Sequence, residues 1–342
     1  MKAWARRVAV GAVLGAAAAC AVFAAWLAWD WHEPYPSQPR VVLVHVPRGM
    51  SAGQVLELMA REGVVRSRFS LKLVFSLFGH PKTLKAGTYL FERPMTPLQV
   101  VQVLNKGEVL LTKVTIPEGL RRDEVAHLLA AAGLGREKTF LRLTSDPALI
   151  RDLDPAATTL EGYLFPETYL VDPDLREEAV LKVLVTSFRS WWEKIGLPNS
   201  DGMPIREVVT LASLVEKETA APQERPLVAG VFLNRLRIGM PLQTDPTIVY
   251  AETIDGVYRG YLTRQDWEYP SPYNTYLHAG LPPGPICSPG KASLEAVLHP
   301  TPSDYLYFVS RNDGTHYFSR TLAEHDRAVE RFQRRARAAG IR

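Results

Sequence analysis

The alternation of apolar and polar positions is clearest in the stretch between Ile205 and Pro222. Six apolar side chains recur there at helical spacing and form one broad stripe, namely Ile205, Val208, Val209, Leu211, Ala212 and Val215. The opposite face is predicted to carry Arg206, Thr210 and Lys217. Glu216 and Glu218 fall near the two edges of the stripe. The pattern therefore predicts an amphipathic helix with two carboxylates at the border of the core.

A carboxyl group at such a border suits acid–base chemistry. Partial desolvation raises its pKa, as a general acid requires. Glu218 also lies in the last predicted turn, where the negative end of the helix dipole further disfavours ionisation. Taken alone, however, the stretch favours the simpler interpretation of an amphipathic helix with charged edges and no catalytic role.

The N-terminal pattern predicts a membrane-spanning helix. Lys2, Arg6 and Arg7 precede Val8–Trp29, which is 22 residues without a charge. A bilayer needs about 20 such residues, and the basic flank predicts a cytoplasmic N-terminus with the remainder outside. A signal peptide cleaved after Ala17–Ala19 is the alternative. The apolar run continues well past that point, which favours an uncleaved anchor.

An internal repeat follows the extended, proline-containing linker Glu33–Arg40. His45–Met50 recurs as Thr115–Leu120, and the same offset relates Val55 to Val125, Leu58 to Leu128 and Gly63 to Gly133. Each copy is predicted to be a short strand, a Pro-x-Gly turn, an amphipathic helix and a glycine stop. Such a unit buries little surface by itself, so each copy is expected to pack on neighbouring elements.

The residues between the copies complete a small module. Lys85–Phe91 is predicted to be a strand, and Thr96 is predicted to cap a helix that begins at Pro97. This arrangement resembles a LysM-like βααβ module, a small fold that binds glycan strands. The alternative is a spacer that holds a catalytic domain away from the membrane.

Aromatic and acidic side chains are concentrated in two later stretches. Leu160–Tyr169 holds three aromatic residues and two carboxylates, and a loop with Gln243–Pro246 precedes a second stretch. That second stretch interleaves Trp267, Tyr269, Tyr273 and Tyr276 with prolines and Asn274, and Gly280–Ile286 follows it. Exposed aromatic faces beside polar amides suit sugars, but a rigid loop that seals a core has the same composition.

The other predicted elements are three helices, a loop and a hairpin. They are a helix over Arg176–Ile195, a loop over Pro198–Gly202, a helix over Pro226–Arg237 that ends at Gly239, a hairpin of Tyr305–Ser310 and Thr315–Ser319 around Asn312-Asp313-Gly314, and a final helix with a capping box of Thr321 and Glu324.

Composition excludes several function classes. The net charge of +4 is small for 342 residues, and the excess comes largely from six arginines in the closing stretch Arg327–Arg342. No nucleic-acid-binding motif accompanies them, so the charge does not indicate a nucleic-acid-binding protein. The chain lacks metal-ligand Cys/His spacing, HExxH and GxSxG. Cys20 lies in the predicted span and Cys287 far downstream, so they are not expected to pair.

Four long motifs in order resemble the endolytic murein transglycosylases of the YceG-like family. They are LEGYLFPETY (160–169), LASLVEKETA (211–220), VFLNRLRIGMPLQTDPT (231–247) and YNTYLHAGLPPGPI (273–286). The resemblance implies an α+β protein with a membrane helix (1–30), a linker (31–40), a LysM-like module (41–110), a second repeat-like segment (111–159) and a mixed α+β catalytic domain (160–342).

The implied activity is non-hydrolytic cleavage of nascent peptidoglycan between N-acetylmuramic acid and N-acetylglucosamine, which leaves 1,6-anhydro-muramyl ends and terminates strand elongation. The catalytic glutamate of the family falls on Glu218. One acid–base group suffices, because no water attacks and the second carboxylate of ordinary glycosidases is unnecessary. The residues expected to line the substrate cleft are Glu161, Gln243, Asp245, Tyr273 and Asn274.

No metal or other cofactor has a place in this chemistry. The expected partners are peptidoglycan glycan strands and the membrane, with a peptidoglycan synthase as a candidate partner and no nucleic acid. The resemblance also implies the inner membrane, with a single pass and a periplasmic catalytic domain. A non-catalytic, glycan-binding scaffold for wall synthesis is the alternative function.

Overall fold

The protein is a mixed α+β chain, and a computed structural model describes residues 2–35, 41–200, 202–219 and 221–334. The chain divides into two compact units. The first unit consists of Met1–Thr112 and Asp172–Asp174, and the second consists of Lys113–Val171 and Leu175–Arg342. The predicted linker Glu33–Arg40 and the basic end of the chain lie partly outside the described residues, and Ala220 of the motif LASLVEKETA lies outside them as well.

The elements of the first unit are α1 (Lys2–His32), β1 (Val42–Val46), α2 (Ala52–Arg61), α3 (Arg68–Phe78), β2 (Gly87–Phe91) and α4 (Pro97–Lys106). Within the described residues, α1 is the one helix long and apolar enough to cross a membrane, over Val10–His32 with a mean hydropathy of 2.1. β1 and β2 pair antiparallel, and α2 and α3 lie between them in the chain. The predicted order of strand, helix, helix and strand is confirmed for this unit.

The elements of the second unit are β3 (Thr112–Thr115), α5 (Arg122–Ala131), α6 (Glu137–Thr144), β4 (Thr168–Val171), α7 (Glu177–Trp191), α8 (Leu197–Asn199), α9 (Ile205–Glu218), α10 (Arg225–Arg237), α11 (Asp245–Ile254), α12 (Lys291–Leu298), β5 (Tyr307–Ser310), β6 (His316–Ser319) and α13 (Leu322–Val329). β3 pairs with β4, and β5 pairs with β6. The predicted hairpin is therefore confirmed, and the predicted helix over Arg176–Ile195 is α7 continued by a π-helical turn over Trp192–Gly196.

The internal repeat is confirmed in the backbone. α2 and α5 are both 10 residues long and begin at equivalent positions of the two copies. The glycines that follow them, Gly63 and Gly133, have nearly equal φ values of 76° and 75°. The amide that follows each glycine donates to a carbonyl of the last helical turn, at 3.0 Å from Val64 and 3.1 Å from Leu134. Glycine adopts this left-handed conformation without strain, which explains why both helices stop there.

The predicted helix caps are local features that the structure confirms. Thr96 forms a capping box with Gln99, and Pro97 occupies the first turn of α4. Thr321 forms the predicted capping box with Glu324 at the start of α13. Both cysteines are free, as predicted.

The predicted helix around which the chain is organised is α9, at the centre of the second unit. α10, α11 and α12 all pack against it. The prediction of a polar face was wrong at Thr210, which is only 1% exposed. These three helices leave little of α9 in contact with solvent, and its exposed residues are Glu207 in the first turn and Lys217 near the end.

Gly162 of the Leu160–Tyr169 motif packs against α9 in a way that requires glycine. Its φ is +85°, and a Cβ there would lie 2.6 Å from the Pro285 side chain and 2.8 Å from Val209. The motif, the loop Gly280–Ile286 and the central helix therefore meet at one point, where a side chain would force them apart.

Candidate active site

Glu218 is the last helical residue of α9. The helix ends there because Thr219 has an extended backbone, with φ −132° and ψ 129°. The Glu218 side chain is half-buried and lines an open cleft of about 750 Å³, which is called the Glu218 cleft below. A cleft of this size is typical of sites that bind ligands. The end of the central helix thus places one carboxyl group in its wall.

The surroundings of Glu218 raise the pKa of its carboxyl above the ordinary value of 4.5. Burial is the largest cause, and the negative charge of Asp245 acts in the same direction. The Thr244 hydroxyl donates a hydrogen bond to Oε1 of Glu218, and this bond, with the positive charges of His316 and Arg235, opposes the rise. The net effect favours the protonated form, which a general acid needs before it donates.

The wall of the Glu218 cleft combines aromatic rings with charged groups. The rings of Trp267 and Tyr276 stack with centroids 5.6 Å apart and an interplanar angle of 9°. The Tyr276 hydroxyl donates to Oδ1 of Asp245 at 2.7 Å, and all three residues line the cleft. Trp267 remains 42% exposed. The cleft therefore presents a flat aromatic surface beside a carboxylate.

Gln243 lies in the same cleft on a strained loop. Its φ is 49°, which is uncommon for a residue other than glycine. Two hydrogen bonds to Thr275 hold the loop, one from the Gln243 amide to the carbonyl at 3.1 Å and one from the Thr244 amide to Oγ1 at 3.0 Å. Strain of this kind persists only where the surroundings enforce it, and it is concentrated at functional sites.

Asn274 supports the aromatic wall from behind. It is fully buried, and its amide donates to the carbonyls of Trp267 at 3.0 Å and Tyr269 at 2.9 Å. Its Oδ1 accepts from the Tyr276 amide at 2.9 Å. Asn274 thus holds both stacked rings in place without lining the cleft.

Glu161 and Tyr273 lie together in a different part of the second unit. Glu161 is 4% exposed; its Oε1 accepts from the Arg122 amide at 2.9 Å, and its Oε2 accepts from the Tyr250 hydroxyl at 3.2 Å. Burial raises the pKa of Glu161 to about 8. Tyr273 packs against Tyr250 with ring centroids 4.9 Å apart. The cavity that Glu161 and Tyr273 share holds only about 10 Å³, which is about one water molecule.

The structure brings together three of the six residues predicted for the site. Glu218, Gln243 and Asp245 line one cleft, whereas Glu161, Tyr273 and Asn274 do not line it. Substrate contact by the latter three stays a prediction.

Glu216 differs sharply from Glu218 in its contacts. Its Oε1 accepts from Nη2 of Arg225 at 3.1 Å, and its Oε2 accepts from the Gly290 amide at 2.9 Å. The side chains of Glu216 and Arg225 are 7% and 11% exposed. Both oxygens of Glu216 are thus engaged in joining α9 to α10 and to the start of α12.

A second cavity of about 490 Å³ shares Asp245 with the Glu218 cleft. Its wall includes Arg121, Lys217, Tyr250 and Tyr258. Lys217 donates to the Gly119 carbonyl at 3.3 Å. Open space therefore lies on two sides of Asp245.

Several residues of the cleft were absent from the predicted site. Trp267 and Tyr276 were noticed as part of an aromatic stretch, and Thr244 as part of a loop. Arg235 lies in the motif 231–247 but was not singled out, because α10 has buried residues on most of its faces and its apolar pattern does not reveal a buried arginine. Among the described residues, no group of three or more His, Cys, Asp or Glu side chains is placed to hold a metal ion.

The comparisons with known proteins agree with these motifs. The YceG-like family matches residues 44–331. A Bacillus subtilis protein named endolytic murein transglycosylase is 32% identical over 318 residues, covering 88% of this chain and 87% of its own length. A Streptococcus pneumoniae protein of the same name is 32% identical over 327 residues, covering 85% of this chain and 58% of its own length.

A solved structure gives the same result. The crystal structure of a YceG-like protein from Listeria monocytogenes superposes with a TM-score of 0.57 at 32% identity, covering 85% of this chain and all of that one. The family match extends over most of the chain, and the relatives share about a third of their residues with it. The chain therefore belongs to the YceG-like family, together with these endolytic murein transglycosylases.

Proposed function

We propose that this protein cleaves the bond between N-acetylmuramic acid and N-acetylglucosamine in nascent peptidoglycan and leaves 1,6-anhydro-muramyl ends. The observation that carries the proposal is Glu218, a half-buried carboxyl group with a raised pKa in the wall of an open cleft. The names of its relatives give the reaction class. They also make the non-catalytic scaffold the less favoured alternative.

Glu218 serves first as the acid and then as the base. Its O–H bond breaks as the proton passes to the glycosidic oxygen, and the bond from that oxygen to the muramyl C1 breaks with it. The resulting carboxylate removes the proton of the muramyl 6-hydroxyl, and the O6–C1 bond forms. The proton balance is closed and no water is consumed, so one carboxyl group is sufficient.

Asp245 supplies a negative charge in the same cleft. The muramyl ring gains positive charge as the glycosidic bond breaks, and a fixed carboxylate beside it stabilises that charge. The hydrogen bond from Tyr276 holds the Asp245 carboxylate in position. Asp245 therefore acts as an electrostatic partner to Glu218 rather than as a second proton donor.

The stacked pair of Trp267 and Tyr276 is the proposed platform for a sugar ring. The exposed face of Trp267 packs against the apolar face of the sugar, while the Gln243 amide binds its polar groups. Asn274 supports this platform from below, and Glu161 and Tyr273 support Tyr250 in the wall of the adjoining cavity. A glycan strand that is cut internally needs space on both sides of the bond, which the two cavities that share Asp245 offer.

The reaction is tested with purified peptidoglycan strands and a soluble fragment that lacks residues 1–30. Mass spectrometry of the digest reports anhydro-muramyl ends. The appearance of these ends supports the proposed enzymatic cleavage. Strand binding without any such ends supports the scaffold.

We further propose that α1 anchors the protein as a single pass in the inner membrane, with a cytoplasmic N-terminus and a periplasmic catalytic unit. The support is the apolar stretch Val10–His32 and the basic flank before it. Anchoring restricts the enzyme to newly made strands near the membrane, in keeping with termination of elongation and with a synthase as a candidate partner.

Retention of this helix is a testable prediction. The mature protein is expected to keep residues 1–30 and to stay with the membrane after a carbonate wash, since a span of this length is not extracted. Intact mass and N-terminal sequencing measure this. A variant with an efficient cleavage site inserted after Trp31 is the soluble control, and a mature wild-type chain that begins after residue 19 contradicts the anchor.

Residues 41–110 are proposed to be a LysM-like module that places glycan strands. The order of β1, α2, α3 and β2 and their antiparallel pairing support this proposal. Deleting Arg40–Gly107 is expected to weaken strand binding more than it slows the reaction of bound strands, because the Glu218 cleft lies in the other unit. Pull-down with purified strands measures the first effect, and single-turnover rates measure the second.

A flexible linker of the same length in place of Arg40–Gly107 separates the two interpretations of the module. The linker restores the distance from the membrane that the catalytic unit can reach, but it supplies no contacts with the glycan strand. Strand affinity that stays low with the linker supports glycan binding, whereas full affinity reduces the module to a spacer.

A further inference from the structure

Arg235 is a buried arginine without an acidic partner. It is 7% exposed, and its guanidinium donates from Nε to the Leu306 carbonyl at 2.6 Å and from Nη1 to the Leu242 carbonyl at 2.7 Å. Among the described residues, no carboxylate oxygen lies within 4.0 Å of it. Burying a charge is costly, and buried charged side chains are normally paired. Arg225 on the same helix follows that rule, with Glu216 at 3.1 Å.

The guanidinium of Arg235 is held where it faces the Glu218 cleft. The two carbonyls fix its plane, and the Tyr307 ring lies with its centroid 5.4 Å from the central carbon. Two of its five N–H donors are thus bonded to backbone. An arginine remains protonated throughout the physiological range, so the cleft carries a permanent positive charge at this point.

The charged and titratable groups of the Glu218 cleft come from six elements. Tyr307 lies on β5 and His325 on α13, and burial lowers the pKa of His325. Asp245 lies at the start of α11, Arg235 on α10, and His316 on β6, while the Tyr276 phenol comes from the loop before Gly280. His316 is already paired, because its Nδ1 lies 2.7 Å from Oε2 of Glu224 and its amide donates to Oε1 at 3.0 Å. Asp245 opposes ionisation of Glu218. Arg235 is therefore the one cation in this set whose charge no neighbouring carboxylate offsets.

We infer that Arg235 is a positioning residue for the reaction. Its fixed positive charge stabilises the Glu218 carboxylate, which exists after Glu218 donates its proton and before it takes the proton of the muramyl 6-hydroxyl. The inference rests on the proposed function. Arg235 itself neither gains nor loses a proton. Burial and Asp245 favour the neutral acid, which is needed at the start, but they also make the acid reluctant to donate. The nearby guanidinium offsets that reluctance at the moment the carboxylate forms.

Neutral variants of Arg235 test this role in the full-length protein in detergent. Arg235→Gln is expected to lower kcat by about tenfold or more with little change in KM, and to move the alkaline limb of the pH–kcat profile up by about one pH unit. Arg235→Lys keeps the charge and is expected to leave the limb near its wild-type position.

Arg237→Gln is the matched control, because Arg237 is exposed on the same helix. Asp245→Asn is expected to move the limb to lower pH, opposite to Arg235→Gln.

A direct titration separates this inference from the proposed function. The ¹³C signal of the Glu218 carboxyl, assigned by its absence in Glu218→Gln, is followed against pH in wild type and in Arg235→Gln. A higher midpoint in the variant supports the inference even if the wild type produces no anhydro-muramyl ends, an outcome that contradicts only the proposed function. An unchanged midpoint, or a raised KM with an unmoved limb, overturns the inference. Arg235→Met is the second neutral variant should the glutamine protein fail to fold.

Discussion

Glu218→Gln is expected to fold normally and to lose nearly all cleavage of glycan strands. Gln has nearly the same shape and still accepts the hydrogen bond from Thr244, but it cannot supply or recover a proton. Loss of one acid–base group typically costs a factor of about 100 to 10,000 in rate. Here the same group is proposed to act in both halves of the reaction, which places the expected loss toward the upper end. The rate of formation of anhydro-muramyl ends measures it.

Two glutamates on the same helix are the controls. Glu207→Gln changes an exposed side chain in the first turn of α9 and is expected to leave both rate and stability nearly unchanged. Glu216→Gln removes the nearer of two carboxylates from the buried Arg225 and leaves Glu118 at 3.9 Å, and it is expected to cost about 2 kcal/mol of unfolding free energy. It should retain more activity than Glu218→Gln, or lose activity together with stability. Near-native cleavage by Glu218→Gln would show that the assignment of the acid is wrong.

Glu161→Gln is expected to change how stability depends on pH. The carboxyl of Glu161 has a pKa of about 8 in the folded protein against 4.5 ordinarily, because it is buried. The folded state therefore holds a proton that the unfolded state releases, and wild-type stability falls as pH rises from about 4.5 to about 8. Between these two pH values the Glu161 carboxyl changes the free energy of unfolding by several kcal/mol, on the order of 1.4 kcal/mol per pH unit.

Gln reproduces the neutral form of Glu161, so this pH dependence should be lost. Its carbonyl accepts from the Arg122 amide, and its amide reaches the Tyr250 hydroxyl. Urea unfolding of the soluble fragment at pH 5, 7 and 9 is expected to show similar stability at pH 5 and a more stable variant at pH 9. Glu207→Gln is again the control, with the wild-type pH dependence. A variant that is less stable than wild type at pH 9 contradicts a protonated Glu161.

Local features of this chain were predictable because local interactions set them. Thr96 and Thr321 cap helices through bonds to residues three positions away, and Asn312-Asp313-Gly314 closes a hairpin of adjacent strands. The repeat was visible because each copy needs a left-handed glycine where its helix stops, at Gly63 and Gly133. The family motifs also located the cleft residues Gln243 and Asp245.

The burial of single residues was less predictable. Thr210 appeared polar and outward-facing on a helical wheel, yet it is buried in a helix against which three later helices pack. Glu161 and Tyr273 lie in family motifs beside glycines and prolines, and they line a cavity of about 10 Å³ rather than the Glu218 cleft. A periodicity describes one helix and contains no information on how many neighbours surround it.

The sequence by itself determined the apolar N-terminal span, the two copies of the repeat, the central helix and the two carboxyl groups at its end. The family resemblance placed the catalytic glutamate on Glu218, but only the tertiary structure decided how the contacts of the two carboxyl groups differ. Glu216 is neutralised by Arg225 and by the Gly290 amide 74 residues further along, whereas Glu218 lies in a cleft with Asp245 and Arg235. The reason is physical: burial and the charges of groups distant in the chain set the pKa and accessibility of a carboxyl, and folding alone brings those groups together.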